Sequence, residues 1–244
     1  MRVARFYLDA PLAAGTQIRL PSSVAHHATR VLRLCDGDPI VLFNGRGGEF
    51  SANVLIDGKQ VAAQLGAFNA VERESTLSIT LVQSWIASDK LDWLIEKSVE
   101  LGVHSIVLTP SQRSVIRLAD DRLARRIERL REIIVAACTQ CGRNRIPSIE
   151  ASVSFRDALQ LQGGLPLGLL LEPNAASAKM TRAQLVDRSI RIMVGPEGGF
   201  DEQELALAKA AGYCSYPLGP RVLRTETAGL AALAALQSVA GDFV

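Results

Sequence analysis

The chain has 244 residues, 48% of them hydrophobic and 21% charged, a balance that excludes a disordered chain or an extended coiled coil. That length supports one large domain or two small ones with real cores. The 27 basic and 25 acidic residues leave a net charge of +2, which taken whole points to no polyanionic partner. The distribution is uneven, however. Nine of the basic residues, all arginine, fall between positions 111 and 145, against four carboxylates.

Four cysteines in a chain this long make no disulfide framework, so reduced thiols are expected. The basic start, Met1 to Arg5, is followed by Asp9 and Pro11 rather than an uninterrupted apolar segment, which argues against a secretory signal. The most apolar stretch, Ala228 to Ala240, is too short to span a bilayer and contains Gln237. A cytoplasmic protein with no membrane association is expected.

Residues 1–70 read as β-rich. Short runs at Arg2–Leu8, Gln17–Leu20, Pro39–Phe43, Glu49–Ile56 and Val61–Leu65 are separated by turn signals such as Asp36-Gly37-Asp38-Pro39 and Asn44-Gly45. Their spacing predicts a small β-barrel, interrupted by one helix from about Pro21 to Leu34. On that helix His26, Arg30 and Arg33 are spaced i, i+4, i+7, a candidate face for phosphate contacts or an ordinary solvated one.

From about residue 75 strands and helices alternate. Thr76–Gln83 reads as a strand, and Ser88 as the cap of a helix over Asp89–Leu101. His104–Leu108 is a strand, and Asp120–Cys141 is a long helix closed by Gly142. Leu167–Leu171 and Ile190–Val194 are continuous apolar runs, as strands buried on both faces require. A helix follows Asp201, a strand covers Tyr213–Leu218, and a last helix begins near Thr225. The alternation predicts an α/β domain with a mostly parallel sheet over 75–244, after the β domain of 1–70.

On the long helix Leu123, Ile127, Leu130 and Ile134 form one buried stripe, which leaves Arg122, Arg125, Arg126 and Arg129 on other faces; Arg143 and Arg145 follow. Arginine suits RNA because its planar fork pairs with phosphate and stacks on bases. The competing account is a solvated face, but Asp121, Glu128 and Glu132 are its few acidic partners along the helix. Cys138-x-x-Cys141 lies at a helix end rather than a start, and Cys35 and Cys214 are isolated, so two small core residues are expected there rather than a redox pair or zinc site. No metal is expected.

The richest constellation is in the last quarter. The strand Ile190–Val194 runs into Gly195-Pro196-Glu197-Gly198-Gly199-Phe200, a loop of exposed peptide groups that lets a ligand approach the main chain. Asp201 with Glu204 forms a capping-box pattern for the next helix. A second loop, Pro217 to Thr227, places Arg221, Arg224 and Glu226 at the start of an apolar helix, where the helix terminus attracts anions. A third, Leu171-Glu172-Pro173-Asn174, also follows an apolar strand. In a parallel sheet these ends lie along one edge, where open α/β sheets bind ligands. No Gly-x-Gly-x-x-Gly follows a strand, so a nucleotide-dependent oxidoreductase ranks last.

Met193–Phe200 together with Leu218–Ala228 resembles the SPOUT, or trefoil-knot, RNA methyltransferases, and within them the 16S rRNA uridine-N3 methyltransferase family, RsmE. Lys97–Val103, Gln112-Arg113-Ser114, Gln140–Arg143, and His26-His27 with Val31-Leu32-Arg33 and Gly37 resemble further segments of that family, so the likeness covers essentially the whole chain. The family usually carries acidic residues near Ala136 and Thr139 and a serine at Cys141, so no role for an acid is carried over there.

The resemblance implies a C-terminal SPOUT-type α/β domain with a trefoil knot, preceded by a PUA-like domain that helps to grip RNA. It implies S-adenosylmethionine as cofactor, held around Leu171, Glu172, Val194, Gly195, Glu197, Gly198, Gly199, Leu218, Gly219, Val222, Leu223 and Thr227. The substrate would be 16S rRNA in the small ribosomal subunit, the assembly a homodimer, and the apolar helix Ala228–Val239 part of its interface or merely of the core. Methyl transfer to N3 needs that nitrogen to lose a proton, for which Arg224, Glu226 and Arg143 are the catalytic candidates. Arg113 joins the expected RNA contacts with His26, Arg30, Arg33, Arg122, Arg126, Arg129, Arg143 and Arg145. A non-catalytic RNA-binding protein, or a methyltransferase acting on another RNA, is the alternative.

Overall fold

The structure, a computed structural model, describes residues 3–58, 60–114, 120–160, 166–173 and 180–243, with backbone only at Asp120 and Asp121. Asn174 of the third loop and the Asp121 side chain lie outside the described residues. Two compact units result: residues 1–74 with 138–146, and residues 75–137 with 147–244.

The first unit is built on β1 (Ala4–Tyr7), β2 (Gln17–Arg19), β3 (Pro39–Phe43), β4 (Glu49–Asp57) and β5 (Gln60–Asn69), ordered β1-β3-β4-β5-β2. β1 pairs with β3 in parallel and the other neighbours are antiparallel. The alternating apolar positions Phe6, Ile40, Leu42, Ala52, Val54, Ala63 and Leu65 form one core, joined by Leu8, Leu20 and Ala28. β5 runs well beyond the expected Leu65, because β4 supplies partners as far as Glu49 opposite Asn69.

The single helix expected to reach Leu34 is different. α1 covers Ser22–His26, continues as one π-helical turn over His27–Val31, and ends there. Arg33 takes a left-handed backbone (φ +55°). The even spacing of His26, Arg30 and Arg33 along one α-helical face therefore does not survive, although all three side chains are exposed.

Residues 138–146 complete this unit through polar contacts that sequence spacing cannot anticipate. Arg5 donates to the Asn144 side chain (2.8 Å) and the Arg143 carbonyl (3.3 Å), and is ion-paired with Glu49. Asn144 donates to the Val71 carbonyl (2.8 Å), and Arg73 to the Gly142 carbonyl (3.0 Å). Arg5 also lies over the Phe43 ring, 4.7 Å from its centroid.

The second unit contains β6 (Ser78–Ser84), α2 (Ser88–Glu100), β7 (Ser105–Thr109), α3 (Asp120–Cys141), β8 (Ser148–Ala151) and α4 (Phe155–Ala158). It continues with β9 (Leu167–Leu170), α5 (Arg182–Leu185), β10 (Ser189–Val194), α6 (Glu202–Ala210), β11 (Tyr213–Ser215) and α7 (Thr225–Ala240). The last turn of α3 belongs to the first unit.

All six strands are parallel, in the order β11-β9-β10-β6-β7-β8. The C-terminal ends of β9, β10 and β11 thus lie side by side. β11 stops at Ser215 rather than Leu218, since Pro217 has no N–H for the ladder. The N-cap of α2 is Ala87, not Ser88; the Ser88 carbonyl instead accepts from Arg126 (2.9 Å). α7 packs on α2, β10, α5 and β6, burying Leu230, Leu233 and Leu236. Cys138 is buried, and burial pushes its thiol up to about 12, so it is an inert core residue.

Candidate active site

The ends of β9, β10 and β11, with the start of α7, enclose a cavity of about 490 Å³. Among the expected residues, Leu171, Glu172, Val194, Gly195, Glu197, Gly199, Leu218, Val222, Leu223, Arg224 and Glu226 line it. Gly198, Gly219 and Thr227 do not. Gly198 and Gly219 nevertheless flank lining residues, and Thr227 N–H closes the first turn of α7 on the Arg224 carbonyl (2.9 Å). Lys90, Phe200, Tyr216 and Thr225 also line the cavity without having been singled out. Lys90 lies on α2, more than a hundred residues before Glu197, and nothing in its local sequence marks it.

Each wall has a local cause. The Gly195–Phe200 loop takes its sharp turn through Gly199 (φ +69°), whose N–H closes on the Pro196 carbonyl (2.9 Å). The reciprocal Asp201–Glu204 capping box then starts α6. Thr225 donates to the Gly195 carbonyl, fixing the loop to α7. Glu172 accepts from Ser215 (2.6 Å) and pairs with Lys209 (3.0 Å), and these partners hold its carboxyl below the usual range. It ties β9 to β11, so its carboxylate is occupied within the fold.

The charges around the cavity are mixed. Lys90 Nζ stands 3.9 Å from Glu197 and 3.8 Å from Glu226, while the second Glu226 oxygen is buried with no hydrogen-bond partner among the described residues. Arg224 is the N-cap of α7 and its side chain is exposed, as is that of Arg221. The first turn of α7 has no side-chain cap, which leaves its N–H groups and the helix dipole directed at the same region. Val222, expected among the cofactor contacts, is 77% exposed at the rim.

The arginine window divides. Arg122 is exposed. Arg126 and Arg129 both grip Asp92 of α2, at 2.6 and 2.7 Å, a carboxylate that does not lie along their own helix. The Arg126 side chain is only 12% exposed and braces α3 on α2. Arg143 departs furthest from expectation. Its side chain is 6% exposed and ion-paired with Glu74 at 2.5 Å within the first unit, so in this structure the guanidinium is occupied inside the fold. Arg145 pairs with Glu72 (3.3 Å) but stays 59% exposed. Arg113 donates to the Gly198 carbonyl (2.9 Å).

Among the described residues no group of three or more His, Cys, Asp or Glu could hold a metal ion, and no helix is long and apolar enough to cross a membrane.

An open parallel sheet whose neighbouring strand-end loops converge on one cavity, in a chain that also carries a compact β domain, defines a ligand-dependent α/β enzyme with an appended module. The chain belongs to the RNA methyltransferases: residues 73–237 match the family described as RNA methyltransferase domain, and residues 20–65 match the RNA methyltransferase PUA domain. It is 32% identical to the ribosomal RNA small subunit methyltransferase E of Rickettsia conorii, over 96% of this chain and 95% of that one. The Bacillus subtilis protein of the same name is 30% identical over 86% of each. The crystal structure of ribosomal RNA small subunit methyltransferase E from Neisseria gonorrhoeae bound to S-adenosyl methionine superposes with a TM-score of 0.91, at 37% identity and full coverage of both chains.

Proposed function

We propose that this protein transfers a methyl group from S-adenosylmethionine to N3 of a uridine in 16S rRNA of the small ribosomal subunit, acting in the cytoplasm as a homodimer. The observation that carries this reading is the cavity formed by the loops after β9, β10 and β11, in a chain that shares its whole fold with a relative crystallised with that cofactor. The expected trefoil knot is the threading by which those three loops would meet.

The residues present suit the cofactor. Leu171, Val194, Leu218 and Leu223 offer apolar walls to a planar heterocycle, and the Gly195–Gly199 backbone offers N–H and C=O groups at close range. A Cβ placed on Gly199 would meet nothing within 4 Å, so the main chain there is open to a ligand. When bound, S-adenosylmethionine supplies a methyl group already activated by its sulfonium. The chain then has to orient the uridine and manage one proton. Glu226 supplies a carboxylate to accept the N3 proton, and the exposed Arg224 guanidinium stabilises the charge left on the ring. N3 lies on the Watson–Crick edge, so the target is unpaired or flipped out. The exposed His26, Arg30, Arg33, Arg122, Arg129 and Arg145 are the remaining candidates for phosphate contacts.

The test is transfer of labelled methyl to 30S particles that lack the modification, followed by nuclease mapping. Label on N3 of one uridine is expected. Label on cytidine or transfer RNA rejects the substrate, and no heat on titrating millimolar S-adenosylmethionine favours a non-catalytic RNA-binding protein.

A further inference from the structure

We infer that Arg113, although it belongs to the arginine-rich window, is a positioning residue for the cofactor loop and not an RNA contact. The inference rests on the reading of the 490 Å³ cavity as the S-adenosylmethionine site. Arg113 follows β7, which is separated from β10 in the sheet by β6. It nonetheless reaches the loop after β10, where its Nη1 donates to the Gly198 carbonyl at 2.9 Å.

The contact is one of a pair. The neighbouring Gln112 N–H donates to Glu204 Oε1 (2.8 Å), while the other oxygen of Glu204 accepts from Asp201 N–H (3.0 Å). Residues 112 and 113 therefore grip the two ends of the turn from Gly198 to Glu204. The arginine stem lies close along Gly198, where an added Cβ would stand 3.3 Å from Arg113 Cβ and 3.4 Å from its Cδ.

The consequence is a fixed peptide plane. The bond joining Gly198 to Gly199 has its carbonyl held by Arg113 and its N–H held by the Pro196 carbonyl (2.9 Å). Glycine-rich backbone loses more freedom on ordering than any other, so holding this plane before the ligand arrives lowers the cost of binding. Gly199 is itself part of the cavity wall. A guanidinium donor suits the task, because charge-assisted hydrogen bonds are stronger than neutral ones.

Calorimetric titration of S-adenosylmethionine into the full-length protein without RNA tests this. Arg113→Met keeps the aliphatic stem and removes the donor. It should weaken cofactor binding by about tenfold, with Arg113→Lys recovering part of the loss. The KM for S-adenosylmethionine should rise while the KM for 30S particles stays put. Gly198→Ala, which forces the stem to shift, should weaken the cofactor in the same direction. Cofactor affinity within twofold of wild type in Arg113→Met, with the defect confined to 30S binding, returns Arg113 to RNA and overturns the inference. Failure of the wild-type protein to bind S-adenosylmethionine would instead overturn the cofactor assignment itself, so the two failures are distinguishable.

Discussion

The hydroxyl of Thr225 donates to the carbonyl of Gly195 at 2.5 Å and accepts from the side chain of Gln83 at 3.0 Å. One short side chain thus links the end of β6, the loop after β10 and the first turn of α7, with Gln83 and Thr225 both buried.

Replacing Thr225 by valine keeps the shape and removes both bonds, which leaves the Gln83 amide and the Gly195 carbonyl short of partners. The expected cost is about 2 kcal/mol of stability, measured by urea unfolding. Cofactor binding should weaken in parallel, and Thr225→Ser should restore both. Unchanged cofactor affinity in a folded Thr225→Val protein would show that the loop needs no such tether.

Arg224 makes no hydrogen bond or ion pair through its side chain among the described residues, so Arg224→Ala should leave the fold and its melting temperature intact. Turnover on 30S particles should nevertheless fall by about a hundredfold or more. Near-normal turnover would remove Arg224 from the site and leave Glu226, tested as Glu226→Gln, as the remaining acid–base candidate.

Glu49 in the first unit gives a pH signature. Burial alone would raise its carboxyl, but hydrogen bonds and charge from Arg5, and then from Arg73, outweigh it and hold the group below the usual glutamate range. The folded carboxyl therefore binds its proton less readily than the unfolded one. Its contribution is complete above the ordinary glutamate value and is lost as pH falls through the lower folded one. Glu49→Gln should cost about 3 kcal/mol at pH 7, and the gap to wild type should begin to narrow once pH falls below the ordinary glutamate value of about 4.3. Urea unfolding at pH 7, 5 and 3.5 measures this; a gap independent of pH would contradict the ionic account.

Features that rest on local chemistry could be read from the sequence. β3 and α3 have their expected limits, since Pro39 and the Gly142 stop mark them directly, and the Asp201–Glu204 box starts α6 as its spacing predicts. The three strand-end loops meet because parallel topology puts them on one edge. What escaped was set by distant partners. Asp92 claims Arg126 from 34 residues away, and Glu74 claims Arg143 from 69, pairings that the charge count of the arginine-rich window could not anticipate. β8, α4 and α5 are only four residues each, too short to leave a period. The π-helical turn at His27–Val31 broke a face that ideal α-helical spacing would have preserved.

The first unit is discontinuous along the chain, since residues 138–146 return to it. Any fragment that stops near residue 74 therefore discards Arg143 and Asn144. It leaves Glu74 and the Val71 carbonyl without those partners, and strips Arg5 of two acceptors. A truncation that looks natural from the family boundaries would thus yield an N-terminal piece lacking part of its own interior, and its instability would say nothing about the intact protein. Studies of the isolated β domain call for a graft of the 138–146 segment, or for the entire chain.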